Sequence, residues 1–138
     1  MSMSFSVTSE GVSKTRNLLR RMIGRAPLGA AEVSNQFARL TQSFVKMHAS
    51  GRPGPQIITG EYFDSIRVSQ LAEPGLTATA VVGTDAPQAA RLEFGFVGVD
   101  SLGRHYHQPP FPHWIPGMYE AAQHVQGMRN VFVDVVVG

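Results

Sequence analysis

Three histidines, His105, His107 and His113, fall within nine residues in the last third of the chain. On a strand, a His-x-His pair puts both rings on one face, where two imidazoles can hold zinc, with His113 as a third ligand. Pro109, Pro110 and Pro112 keep the connecting stretch extended, and no carboxylate close by in the sequence is placed to orient the rings. The expectation is therefore surface histidines on a hairpin, and no metal. Glu61 and Asp64, three apart on a short predicted helix, share a face suited to a metal or to acid–base work. A solvated helix N-terminus favoured by the backbone dipole is the plainer reading. The glycines of GFVGVDSLG (residues 95–103) open no strand–glycine–helix unit, and neither GK[ST] nor G-x-S-x-G occurs. Cysteine is absent, which removes thiolate ligands, thiol nucleophiles and disulfides, and fits a reducing cytoplasm. These residues predict a non-enzymatic chain with no cofactor.

The elements that would position these groups belong to one domain, residues 1–138. A chain of this length buries about 68% of the surface its unfolded form exposes, enough for one modest core. Hydrophobic residues make up 43% of it, too many for a disordered tail. No apolar run approaches the ~20 residues that cross a bilayer. MSMSFSVTSEG is neither basic nor apolar and does not read as a secretory leader. Charge is divided unevenly. Residues 1–52 carry eight Lys/Arg against Glu10 and Glu32, a net of +6, and residues 53–138 carry four against eight acids, a net of −4. No aromatics interleave with the basic residues, so base stacking is not expected, although a sequence-blind attraction to DNA is.

Ser4–Thr8 alternates like a short strand, and Ser9 can cap the helix that follows. Val12, Thr15, Leu19, Met22 and Ile23 form a narrow apolar stripe on that helix, which Pro27 and Gly29 are expected to end. A second helix is predicted from about Ala30 to Ala49, with Val33, Phe37, Leu40, Phe44 and Met47 as its apolar face and Asn35, Gln36, Gln42, Ser43 and Lys46 opposite. SGRPGPQ is a loop, and Thr59 caps a short helix, with Gly60 letting the chain turn. Residues 66–83 read as a hairpin turning at Glu73-Pro74-Gly75. Pro87 opens a short helix that Gly95 ends, and residues 96–107 form a second hairpin turning between Asp100 and Gly103. The proline segment leads into a helix with Pro116 in its first turn, pinned to the core by Phe111, Trp114 and Tyr119, and VFVDVVV is β-branched and strand-like. The fold class is α+β: a mainly antiparallel sheet with two N-terminal helices and one C-terminal helix packed on it.

GRPGPQIITGEYFDSI (51–66), VVGTDAPQAARLEFG (81–95) and QPPFPHWIPGMYEA (108–121), in that order, resemble the head–tail joining, or tail-completion, proteins of tailed bacteriophages. The resemblance is carried by Thr59, Gly60, Ser65, Ile66, Val82, Gly83, Ala90, Glu93, Phe94, Gly95, Pro109, Pro110, Phe111 and Pro116. With the preceding helices it covers nearly the whole chain. It departs where Gln88-Ala89 replaces a frequent tyrosine, where Glu61–Asp64 replaces a frequent basic residue, and in the β-rich VFVDVVV.

The resemblance implies a structural virion protein in the phage neck, assembled in the host cytoplasm. It would form a homo-oligomeric ring, expected to be a hexamer, between connector or stopper and tail-tube proteins, with DNA passing through. Subunit-interface candidates are then Phe96, Val97, Val99, Tyr106, Phe111, Trp114, Val131, Val133 and Val135, with strand edges pairing between neighbours. Arg16, Arg20, Arg21 and Arg25 are candidates to face the lumen and DNA, and Thr59, Gly60, Glu93, Phe94, Gly95 and Pro110 to be structural. Two other classes compete. A small basic nucleic-acid-binding protein would use the N-terminal third, and a metallohydrolase would use the histidines.

Overall fold

The computed structural model describes residues 2–4 and 9–138; the strand expected at Ser4–Thr8 lies largely outside them, as does the side chain of Ser9. The class is α+β, with five helices and two small antiparallel sheets among the described residues. The elements are α1 (Ser9–His48), α2 (Glu61–Ser65), β1 (Arg67–Gln70), β2 (Val81–Gly83), α3 (Ala89–Phe94), β3 (Phe96–Val99), β4 (His105–Gln108), α4 (Trp114–Ala122) and α5 (Val125–Val137). No helix among the described residues is long and apolar enough to cross a membrane.

Three expectations are corrected. The two N-terminal helices are one helix of 40 residues, with Pro27 inside it. Pro27 cannot donate to the carbonyl of Ile23, but α5 packs alongside and holds the helical path there. Gly29 is a contact, not a stop: a Cβ there would lie 2.8 Å from the Phe132 ring and 2.9 Å from Val136. Pro27→Ala is accordingly expected to raise stability by about 1 kcal/mol, a fraction of the ~3 kcal/mol intrinsic helix penalty, read as a higher urea midpoint.

The second correction is VFVDVVV, which is helical. Met128, Val131, Phe132, Val135 and Val136 are buried or half-buried while Val133 and Val137 are exposed, the three-and-four spacing of a helix against α1. Docking on α1 overrides the β-propensity of the valines. Pairing between subunits through a strand at Val131, Val133 and Val135 is thereby excluded.

The third concerns the sheet and the core. Each hairpin is a separate two-stranded sheet, and the scaffold is helical, with α4 and α5 packed along α1. The most buried face of α1 is not Val33–Phe37–Leu40–Phe44–Met47, of which Met47 is 61% exposed, but Ala31, Ala38, Val45 and Ala49. Small residues win because helices approach closely there: a Cβ on Gly117 would come within 2.7 Å of the Val45 backbone. Val45, Ala49 and Ile66 form the buried cluster, with Tyr62, Phe63 and Trp114 around it.

The supposedly solvent-facing polar residues of α1 clamp the first hairpin. Asn35 Nδ2 donates to the Ala72 carbonyl at 3.1 Å, its Oδ1 accepts the Ala72 amide at 2.6 Å, and Gln42 Nε2 donates to the Ile66 carbonyl at 3.0 Å. β1 and β2 pair antiparallel with a bulge between Val68 and Gln70, and both strands are shorter than the alternating stretches 66–71 and 76–83.

Candidate functional site

The expected turn chemistry holds. The Gly103 amide donates to the Asp100 carbonyl at 3.0 Å, and Gly103 has φ 77°, so the second hairpin closes where predicted. The Arg104 amide holds the Asp100 carboxyl below its usual range, against some desolvation, with help from the Arg104 guanidinium, the Leu102 amide and the Tyr106 hydroxyl. β3 and β4 pair Val97 with His107 and Val99 with His105, so these four side chains share one exposed face. Val97 is 74% and Val99 54% exposed, and Tyr106 on the other face is 41% exposed. Phe96 is half-buried beneath the Arg91 guanidinium, 4.1 Å from its ring.

Both ends of this hairpin are fixed to the body. Gly95 ends α3 with φ 80°, and a Cβ there would meet the Gln108 carbonyl at 2.8 Å and the Pro110 nitrogen at 3.0 Å, so only glycine fits. The Phe111 amide donates to the Leu92 carbonyl at 2.6 Å, and the Arg52 guanidinium lies 3.9 Å over the Phe111 ring. Thr59 Oγ1 accepts the Glu61 amide at 3.3 Å as expected, but the residue that caps α2 is Gly60, at φ 86° and without a side-chain bond, and not Thr59. Phe94, between Glu93 and Gly95, is 69% exposed.

The interior of this region was not foreseen. His113, expected at the surface, is fully buried, and Glu93 is 5% exposed. The carboxylate said to be missing near the histidines is Glu93, with Oε2 3.1 Å from His113 Nδ1. Glu93 accepts the amides of His113, Trp114 and Ile115 at 2.8, 2.9 and 2.9 Å. No local side chain caps α4, and a carboxylate from α3 does so instead, with the favourable helix dipole. Desolvation pushes the Glu93 carboxyl up, but the three amides, with His113 close by, outweigh it and hold it below its ordinary value.

Proton positions follow from the partners. His113 Nδ1 is 2.8 Å from the Phe111 carbonyl, which only accepts, so Nδ1 carries the hydrogen. In the neutral ring Nε2 then accepts the Tyr62 hydroxyl at 2.5 Å, and Tyr62 Oη accepts the Trp114 indole N–H at 3.2 Å. No buried side-chain polar atom among the described residues is left without a partner. Burial raises the Tyr62 phenol above its ordinary value, the Trp114 bond opposes this, and the Glu93 charge adds to it. That is the direction opposite to an activated nucleophile, and the hydrogen bonds of Glu93, His113, Tyr62 and Trp114 form a lock that ties α2 and α3 to the start of α4. Tyr62→Phe removes one acceptor and one donor, and is expected to cost about 1 kcal/mol in urea unfolding.

The three quoted segments, far apart in the chain, meet in this lock through Arg52 and Tyr62, Leu92 and Glu93, and Phe111–Ile115. Phe111 and Trp114 are half-buried and engaged within their own chain, whereas Tyr119 is 70% exposed and does not join them. His105 and His107 stay exposed on β4, apart from buried His113, and no three His, Asp or Glu among the described residues gather to hold a metal.

The basic residues divide by face. Arg16 and Arg20 border the stripe of Val12, Leu19 and Ile23, while helical spacing puts Lys14, Arg21 and Arg25 on the opposite side of α1. Comparison with protein-family models, with curated proteins and with solved structures finds no match.

Proposed function

We propose that this chain is a structural subunit of a tailed-phage neck: a non-enzymatic ring protein joining head to tail, with a lumen for DNA. The observation that supports it most is surface. The chain exposes 9860 Å² for 15.0 kDa. A compact monomer of that mass exposes about 7,000 Å². The excess, close to 3,000 Å², is of the size that obligate assemblies bury. Exposed apolar residues contribute to it, among them Val12 and Ile23 on the N-terminal half of α1 and Val97 and Leu102 on the β3–β4 hairpin, all more than half exposed. Mounted on the lock, the hairpin is a rigid contact element that loses little freedom on docking. The resemblance of the three segments supplies the phage neck as the setting.

The test is the mass and image of the purified full chain. Rings with a central opening are expected, and a phage lacking the chain should accumulate unjoined heads and tails. A chain that stays monomeric, or joined virions without it, overturns the reading. A second reading, DNA binding, is favoured by Lys14, Arg21 and Arg25 on one exposed face of α1. It predicts a mobility shift of duplex DNA that weakens steeply with salt, and no shift at low salt removes it.

A further inference from the structure

The N-terminal half of α1 carries an apolar stripe with nothing described upon it. Val12, Leu19 and Ile23 are 53%, 52% and 73% exposed, with Arg16 and Arg20 along one side. Among the described residues, neither arginine has a carboxylate partner; the ion pair in this part of the helix is Lys14 with Glu10. At the other end of the molecule, beside α2, lies a cleft of about 560 Å³. Ile57, Ile58, Leu92 and Phe111 line it, and Ile58 is 91% exposed. Glu61 stands at the cleft and Asp64 one turn further along α2, and no described cation pairs with either carboxylate. Arg52 also borders the cleft, but its guanidinium is occupied by the Gly54 carbonyl and the Phe111 ring.

The two surfaces complement one another: an apolar stripe edged by free arginines, and an apolar cleft edged by free carboxylates. They cannot meet within one molecule. α1 is continuous, and Leu19 lies about 45 Å along it from Ala49, which lines the cleft. We propose that residues 9–25 of α1 form an arm whose stripe seats on the α2 cleft of a second copy of this chain. Arm and cleft are different surfaces, so the contact is head to tail and each subunit offers one of each, the arrangement that closes into a ring. The inference rests on the ring reading and names the contact that builds it.

Light scattering of the full chain at matched concentration tests it. Arg16→Glu with Arg20→Glu, and separately Glu61→Arg with Asp64→Arg, should each release monomers, weakening association about a hundredfold or more by placing like charges opposite one another. An equimolar mixture of the two reversed chains should recover the wild-type mass, because reversed arm then meets reversed cleft. All four positions are solvent-facing, so far-UV circular dichroism should match the wild type, and Ile58→Asp gives a second cleft variant with the same expected dissociation. If the wild type is assembled and the arm reversal leaves its mass unchanged, the arm–cleft contact is wrong while the ring stands. If both reversals dissociate the chain and the mixture does not reassemble, these two surfaces are not partners. If the arm reversal keeps the mass but abolishes retention on duplex DNA, nucleic acid is the arm's partner instead. A wild-type chain that is monomeric throughout overturns ring and contact together.

Discussion

Glu93→Ala is expected to lower the stability of the folded chain by about 4 kcal/mol, because it strips the acceptor from three amides at the start of α4 at once. The orphaned His113 amide is buried and worth roughly 1–3 kcal/mol, and the part-buried Trp114 and Ile115 amides add less because water reaches them. Against a total of about 5–15 kcal/mol for a domain, that loss is large. Urea midpoints at matched protein concentration measure it, and a change under 1 kcal/mol would mean that α4 does not need this cap. Glu93 also sets a pH dependence. Its folded-state pKa lies below the ordinary 4.5. The stabilisation it provides is therefore fully present above that value, and is lost as pH falls through the folded-state pKa. Glu93→Gln should be less stable than wild type at neutral pH, by about 2 kcal/mol, yet show a flatter decline on acidification. Parallel acid limbs in the two chains would show that another carboxylate governs the decline.

Gly117→Ala should destabilise, by about 2 kcal/mol, where helix propensity alone predicts the reverse. Alanine favours a helix over glycine by about 1 kcal/mol. At Gly117, however, the added Cβ would sit 2.7 Å from both Cα and N of Val45. That is backbone against backbone, so no side-chain rotation relieves it, and α4 must move off α1 at a cost of about 3 kcal/mol. Gly24 and Gly127 supply the control: both lie in helices with nothing within 4 Å of a built Cβ, so Gly24→Ala and Gly127→Ala should stabilise by up to about 1 kcal/mol. Thermal melts of the three single variants read the opposite signs directly. A stabilised Gly117→Ala would mean that the α1–α4 approach is looser than described.

These two sites also mark where sequence reasoning stopped. Features set by neighbours in the chain were legible: the Asp100–Gly103 turn, the stop at Gly95, the bend at Gly60, the pairing of both hairpins. Each follows from φ preferences, alternation or a local side-chain bond. Features set by distant packing were not. Pro27 and Gly29 carry breaker chemistry, but α5 arrives from a hundred residues later to hold α1 in one piece. The valines of α5 have strand propensity, and their helical spacing matters only once α1 is beside them. Large apolar residues marked one face of the second half of α1, while close helix contact selected the small ones on another. Glu93 and His113 are twenty residues apart and carry no spacing motif, so nothing local announces that one caps the other. One signal was available: a lone Glu in an apolar helix turn, LEFG, just ahead of a proline-held segment whose following helix lacks a cap of its own.

The continuity of α1 through Pro27 gives the molecule a fixed angular phase. A helix turns by about 100° and advances about 1.5 Å per residue, so the bearing of Val12, Leu19 and Ile23 relative to the lock is set by the count of residues between them. One residue inserted after Arg25 would swing the stripe by more than a quarter turn and bring Lys14 and Arg21 round towards its former bearing. Four inserted residues would nearly restore the angle while lengthening the rod by about 6 Å. The helix thus acts as a crankshaft whose throw is written in residue number, so that an insertion tolerated by folding need not be tolerated by assembly.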